Sequence, residues 1–138
     1  MKEHLILNQV ENQSKINILL VEDDLVSRTI IEKYGEIKGW NITSSNDGND
    51  AVDNFKQKKF DIVFMDVQMP IMNGYIATGN IRSYEHKKGI RTPIIALTAF
   101  SITDDREKCF EVGMDDYLSK PVNLNELNEM VIKWTQKQ

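Results

Sequence analysis

Ile62-Val63-Phe64-Met65-Asp66 is a run of four apolar residues closed by a carboxylate. Such a run does not suit the half-wet strand of an open antiparallel sheet, in which polar and apolar residues alternate; it suits a strand covered on both faces. Two more runs share the pattern, Ile18-Leu19-Leu20-Val21 before it and Ile94-Ile95-Ala96-Leu97 after it. Weaker strand signals lie at Asn41-Ile42-Thr43-Ser44 and Asp116-Tyr117-Leu118-Ser119. Between these segments apolar residues recur at helical spacing: Val26, Ile30, Tyr34 and Ile37, then Ala51, Val52 and Phe55, and finally Leu124, Leu127, Met130, Val131 and Trp134. Further helices are expected near Gly74 to Ser83 and Thr103 to Val112, with Gly113 ending the latter. Asn123 and Glu126 form a capping box for the last helix, just after Pro121, which discourages an earlier start. Five strand-helix units in alternation predict an α/β fold, a parallel sheet with right-handed crossovers and helices on both faces.

Outside these elements the sequence is plain. A chain of 138 residues fits one domain able to bury a core without disulfides. Residues 1–15 are polar and without a period after Leu5-Ile6-Leu7, which reads as a tail or linker, with the domain itself at 16–138. No apolar run approaches the roughly 20 residues of a membrane helix, and the N-terminus lacks a secretory pattern, so membrane contact is not expected and a cytoplasmic location is. The single cysteine, Cys109, excludes a disulfide framework and reads as core filling. A net charge of -4, from interspersed acids and bases, argues against direct binding of nucleic acid. His4 and His86 stand in polar surroundings and read as solvent-exposed, while Trp40 and Trp134 read as packing anchors.

The chemistry gathers at the ends of the strands, where open α/β sheets place their sites. The first strand ends in Glu22-Asp23-Asp24, the third in Asp66 and the fourth in Thr98-Ala99; the fifth is followed by Lys120-Pro121. Carboxylates converging in one crevice raise one another's proton affinity unless a cation intervenes. Mg²⁺, which takes one or two carboxylates and keeps waters, suits so sparse a set, and Mn²⁺ could replace it. A carboxylate, a cation, a hydroxyl and a lysine are the parts needed to move a phosphoryl group onto the carboxylate. Asp66 would be the nucleophile, with Lys120 and the Thr98 hydroxyl facing the phosphoryl oxygens. Asp24 is placed to cap the helix that follows.

These residues, together with Met65-Asp66-Val67-Gln68-Met69-Pro70-Ile71-Met72-Asn73-Gly74, resemble the response-regulator receiver family over nearly all of Ile16 to Gln138. The resemblance implies a flavodoxin-like sheet of order 2-1-3-4-5 and a phosphorylation-controlled switch acting in a two-component phosphorelay. Glu22 and Asp23 match the family's acidic pair, Asp66 its phosphoacceptor, Thr98 its switch hydroxyl and Lys120 its lysine before a cis-proline. The Gln68 carbonyl would complete the metal ligands, and Tyr117 matches the aromatic position that turns inward with the switch threonine. Glu22 stands where many members have Asp, which allows contact with the metal through water. Gln68 and Phe100 occupy positions that tune hydrolysis of the phosphoaspartate. The implied output surface is the fourth helix, fifth strand and fifth helix, with a phosphorylation-dependent dimer as one use of it.

The implied partners are a histidine kinase, a histidine phosphotransfer domain, or both. Turnover of an external substrate is not expected. The polar stretch before Ile16 and the wording from Gln68 to Gly74 resemble receivers of hybrid sensor histidine kinases, and a stand-alone regulator is the other form the family takes. Two further classes compete. A phosphatase working through an aspartyl phosphate usually carries a second aspartate two residues after the nucleophile, where this chain has Gln68. A flavin-binding protein would need a Ser/Thr/Gly-rich phosphate loop after the first strand, where this chain has three acids.

Overall fold

The computed structural model describes residues 15–69, 72–99 and 102–136, and of 102–105 the backbone. In chain order the elements are β1 (Asn17–Val21), α1 (Leu25–Lys38), β2 (Asn41–Ser45), α2 (Gly48–Gln57), β3 (Ile62–Asp66), α3 (Gly74–Lys88), β4 (Ile94–Thr98), α4 (Ile102–Glu111), β5 (Asp116–Ser119) and α5 (Leu124–Thr135). All strand pairs are parallel, and the sheet order is β2-β1-β3-β4-β5. The α/β flavodoxin-like architecture expected from the sequence is the one formed.

Alternation along the buried strands splits the core into two layers. Leu19, Val21, Val63, Met65 and Ala96 face α2, α3 and α4, where they meet Ala51, Phe55, Ala77, Ile81 and the buried Cys109. Ile18, Leu20, Ile62, Phe64 and Leu97 face the other way, toward Ile31 of α1 and Leu127 and Val131 of α5. Both faces of β3 and β4 are therefore dry, as their unbroken apolar runs require. Each of these strands runs one residue further than its apolar run, so Asp66 and Thr98 are the last residues of β3 and β4 and inherit the rigidity of the sheet.

The helix ends carry the chemistry expected at Asp24, Asn123 and Gly113, and Asn73 adds a cap that was not expected. The Asp24 carboxylate accepts the Ser27 N–H at the start of α1, Asn73 accepts that of Ile76 at α3, and Asn123 accepts that of Glu126 at α5. Gly113, just past α4, has φ +103°, a conformation that suits glycine.

Two sequence expectations need correction. The face of α1 read from Val26, Ile30, Tyr34 and Ile37 is not the buried one: Ile31 and Gly35 are buried, while Val26 is 67% and Ile37 81% exposed. Close approach decided this. A Cβ on Gly35 would lie 2.3 Å from Ile42 Cδ1, so the glycine lets α1 settle onto β2, and Tyr34 meets Trp40 edge-on at 5.5 Å. The second correction is length: α3 runs to Lys88 rather than stopping near Ser83. Its last turns look polar because their inward face is a polar network. Glu85, buried, accepts from Arg82 at 2.5 Å and from the Thr92 N–H at 2.6 Å, and Arg82 reaches the Gly113 carbonyl and Asp115.

Candidate active site

The sheet order reverses at β1, whose neighbours are β2 on one side and β3 on the other. The turns after β1 and β3 diverge there and leave a crevice at the carboxyl ends of the strands. Into it the chain delivers Glu22 and Asp23 from the end of β1, Asp66 from β3, Thr98 from β4 and Lys120 from the end of β5. Register brings the last two together, since Thr98 pairs with Ser119 and the Lys120 N–H donates to the Thr98 carbonyl at 2.7 Å.

One carboxylate oxygen each from Glu22, Asp23 and Asp66 lies within 4.8 Å of the others. Glu22 and Asp66 are buried and Asp23 is exposed, so the cluster opens to solvent on the Asp23 side. Lys120 bridges the buried pair, its Nζ 2.8 Å from Glu22 Oε1 and 2.9 Å from Asp66 Oδ2. Glu22 Oε1 has no well-directed hydrogen bond among the described residues, so Lys120 holds that oxygen by charge more than by direction. The other Asp66 oxygen accepts the Gln68 N–H at 2.9 Å, and Glu22 Oε2 accepts that of Asp24 at 3.3 Å. Gly74, at the start of α3, packs so tightly behind Asp66 that a Cβ would sit 2.3 Å from the Asp66 carbonyl oxygen.

Burial, then the hydrogen bond and charge of Asp66, push the Glu22 carboxyl from 4.5 up to about 7, against the opposing pull of Lys120. Burial alone would lower Lys120, but its contacts with Glu22 and Asp66 prevail and raise it. The pattern is that of a carboxylate pair short of positive charge. Three carboxylate oxygens within 4.8 Å of one another need close only slightly onto the spacing of about 3 to 4 Å that an octahedral Mg²⁺ sets between its ligands, so the donor set fits a hard divalent cation.

The proton on Glu22 gives a test. A raised carboxyl pKa favours the native state below about 4.5, and the benefit is lost as pH rises through about 7. A cation that needs the ionised carboxylates acts in the opposite sense. The rise in melting temperature on adding millimolar Mg²⁺ is therefore expected to grow several-fold from about pH 6 to about pH 8, and a rise that is flat or falling with pH would contradict this reading of the cluster.

Comparison with known proteins agrees with this geometry. Residues 18–132 match the family model described as the response regulator receiver domain. The chain belongs to this family. The receiver domain of the sensor histidine kinase PA1611 of Pseudomonas aeruginosa, solved with a magnesium ion coordinated in its active-site cleft, superposes with a TM-score of 0.80 at 40% identity, covering 88% of this chain and 98% of that one. The receiver domain of the Saccharomyces cerevisiae response regulator Ssk1, solved with the histidine phosphotransfer protein Ypd1, gives a TM-score of 0.85 at 33% identity over 90% of this chain and 92% of that one. Probable histidine kinase 2 of Oryza sativa subsp. indica is 42% identical in an alignment of 130 positions that covers 84% of this chain and 12% of that kinase. Across such kinases this receiver spans from 6 to 16% of the full length.

The structure of this receiver thus brings Glu22, Asp23, Asp66, Thr98 and Lys120 to one crevice, with Gln68 beside Asp66 through its backbone. Thr98 is buried at the tip of β4, and the Lys120–Pro121 peptide is cis, as the resemblance implied. Tyr117 stands apart on the β5 edge, half-buried, with the Arg106 guanidinium 5.8 Å from its ring. Arg106 was not legible as part of the site, since its contact depends on how α4 lies against β5. Phe100, the tail around His4, Pro70 and Ile71 lie outside the described residues. No helix of the described residues is long and apolar enough to cross a membrane.

Proposed function

We propose that Asp66 is the phosphoacceptor of a phosphorelay, taking a phosphoryl group from a phosphohistidine. The observation that carries this reading is the buried Asp66 carboxylate at the end of β3, in contact with Lys120 and grouped with two further acids. A carboxylate oxygen of Asp66 attacks phosphorus; the phosphorus–nitrogen bond of the donor breaks, and its electron pair stays on the imidazole. Glu22, Asp23 and Asp66, with the Gln68 carbonyl, would hold Mg²⁺, and Mn²⁺ in its place. When bound, the cation supplies positive charge against the phosphoryl oxygens. Lys120, already touching Asp66, holds a second positive charge over the same oxygens, and Thr98 supplies a hydroxyl from the neighbouring strand. Tyr117 is the transmitter, turning from its place beside Arg106 when Thr98 moves toward the phosphoryl group.

The misread face of α1 supports a protein donor. Leu25, Val26 and Ile30 are 64%, 67% and 50% exposed on the helix that begins two residues after Asp23. A small depression joins Ile30 and Ile31 to Lys120, Pro121 and Val122, so the apolar surface continues to the rim of the crevice. A histidine phosphotransfer domain seated there would bring its imidazole to Asp66, and a receiver of the same fold, that of Ssk1, was solved with the histidine phosphotransfer protein Ypd1. The receiver of a hybrid histidine kinase is the form we favour, with residues 1–15 as linker, 16–138 as the domain, and a cytoplasmic location.

Incubation with a phosphorylated histidine phosphotransfer protein tests the reading. Label is expected to move to this chain in Mg²⁺ and to stay on the donor in EDTA; label that moves equally well in both would overturn the metal's part. Ile30→Lys is expected to slow that transfer about tenfold or more, since a buried charge costs more than 1.4 kcal/mol, while labelling by acetyl phosphate, which needs no docking, stays within about twofold. Equal slowing with both donors would place the effect in the crevice and remove α1 as the docking surface.

A further inference from the structure

At the opposite end of the sheet from Asp66, a cavity of about 560 Å³ opens between the end of α2, the residues leading into β3 and β4, and the end of α3. Its floor is aromatic: Phe55 stacks on Phe60 at 6.2 Å and meets Tyr84 edge-on at 6.2 Å. Its rim carries Lys56, Lys58, Lys59 and Lys88. The ammonium groups of Lys56 and Lys88 each lie 5.8 Å from the centre of the same Tyr84 ring. Among the described residues none of these four lysines pairs with a carboxylate. Glu85, on the same helix as Tyr84, offers them no charge, because Arg82 and the Thr92 N–H take up both of its oxygens.

Lysines in a last helical turn offset the negative end of the helix dipole, which accounts for Lys56 and Lys88. It does not account for Lys58 and Lys59, which lie beyond the last residue of α2, nor for the half-buried rings of Phe60 and Tyr84 in a cavity lined by four lysines in a chain of net charge -4. We propose that this cavity binds a nucleoside phosphate, its base stacked on the Phe60 ring with the steeply inclined Tyr84 ring against its edge, and its phosphate among the lysines. The volume is in the range of sites that enclose a small ligand, about 300 to 1,000 Å³. An acidic protein segment fits less well. β3 and β4 are paired on both edges, so no strand can be added there, and Asp or Glu side chains would use the charges and leave the rings uncovered.

Titration of the ¹⁵N-labelled chain with ADP in EDTA, followed by NMR, tests this away from the metal crevice. Saturable shifts are expected at residues of the cavity, with adenosine and pyrophosphate each binding at least about tenfold more weakly, since each keeps only half of the contacts. Lys56→Ala with Lys88→Ala, both exposed, is expected to weaken ADP about tenfold or more and to leave transfer to Asp66 unchanged. Asp66→Asn is expected to leave ADP binding as it is, so this site and the phosphoacceptor stand or fall separately. No saturable shift up to about 10 mM ADP would overturn the proposal, as that concentration exceeds any specific affinity for such a ligand. So would pyrophosphate binding as well as ADP, a glutamate-rich peptide binding the same residues more tightly, or shifts centred on Asp66.

Discussion

Lys120→Met is expected to lower the melting temperature in EDTA near pH 8 by on the order of 10 °C, equivalent to about 3 kcal/mol. The ammonium lies 2.8 Å from Glu22 and 2.9 Å from Asp66, both almost wholly buried. Removing it leaves two buried carboxylates with no positive charge between them and only one backbone N–H each, and methionine fills the space without replacing the charge. The loss depends on pH in a defined sense. Glu22, already raised to about 7 by burial and by Asp66, loses the one contact that lowers it, so in the variant its proton is held more tightly still. Near pH 5 that proton quenches the repulsion, and most of the lost stability is expected to return; above about pH 7 the deficit is largest. Mg²⁺ is expected to return at least half of it near pH 8 by supplying charge to the same oxygens. A deficit indifferent to both pH and Mg²⁺ would mean that Lys120 acts through packing alone.

Gly74→Ala is expected to be comparably damaging, for a steric reason. The new Cβ would lie 2.3 Å from the Asp66 carbonyl oxygen and 2.9 Å from the Val67 Cα. These are backbone atoms at the end of a central strand, and they cannot step aside as a flexible side chain can. Either α3 moves off β3 or the turn after Asp66 shifts; the cost is about 3 kcal/mol, again on the order of 10 °C in melting temperature. Both responses move the phosphoacceptor relative to Lys120, so the rate of phosphorylation by acetyl phosphate is expected to fall by about tenfold or more even at temperatures where the variant is folded. Gly79→Ala, on the same helix with open space around its Cβ, is the control and is expected to leave both quantities close to the parent. A stable, fully active Gly74→Ala would show that α3 is not what fixes Asp66.

The elements that decide the fold were legible because their sequence signals are local. Unbroken apolar runs mark β1, β3 and β4 whatever surrounds them, and a carboxylate or hydroxyl at the end of such a run has nowhere to be but the rim of the sheet. Asp24 and Asn123 cap their helices through hydrogen bonds spanning three residues, a distance that sequence also reads well. What escaped depended on partners far away in the chain. The inner face of α1 follows Gly35 and its approach to Ile42, not the largest apolar residues, and a periodicity count has no means to weigh a glycine. The length of α3 rests on Glu85 meeting Arg82 and the backbone of Thr92, so residues that read as solvent-facing are buried. The cavity beneath Tyr84 needs α2 and α3 side by side, and Arg106 reaches Tyr117 only once α4 lies against β5. Even the resemblance to receivers, which named the site residues, carried no information about these contacts.

The measurement that tests the central claim most directly is intact mass after incubation with acetyl phosphate, with and without Mg²⁺, for the parent chain and for Asp66→Asn. The expected result is one phosphoryl adduct on the parent in Mg²⁺, none in EDTA and none on Asp66→Asn under either condition. An adduct of the same yield on Asp66→Asn would place the acceptor elsewhere and contradict the account.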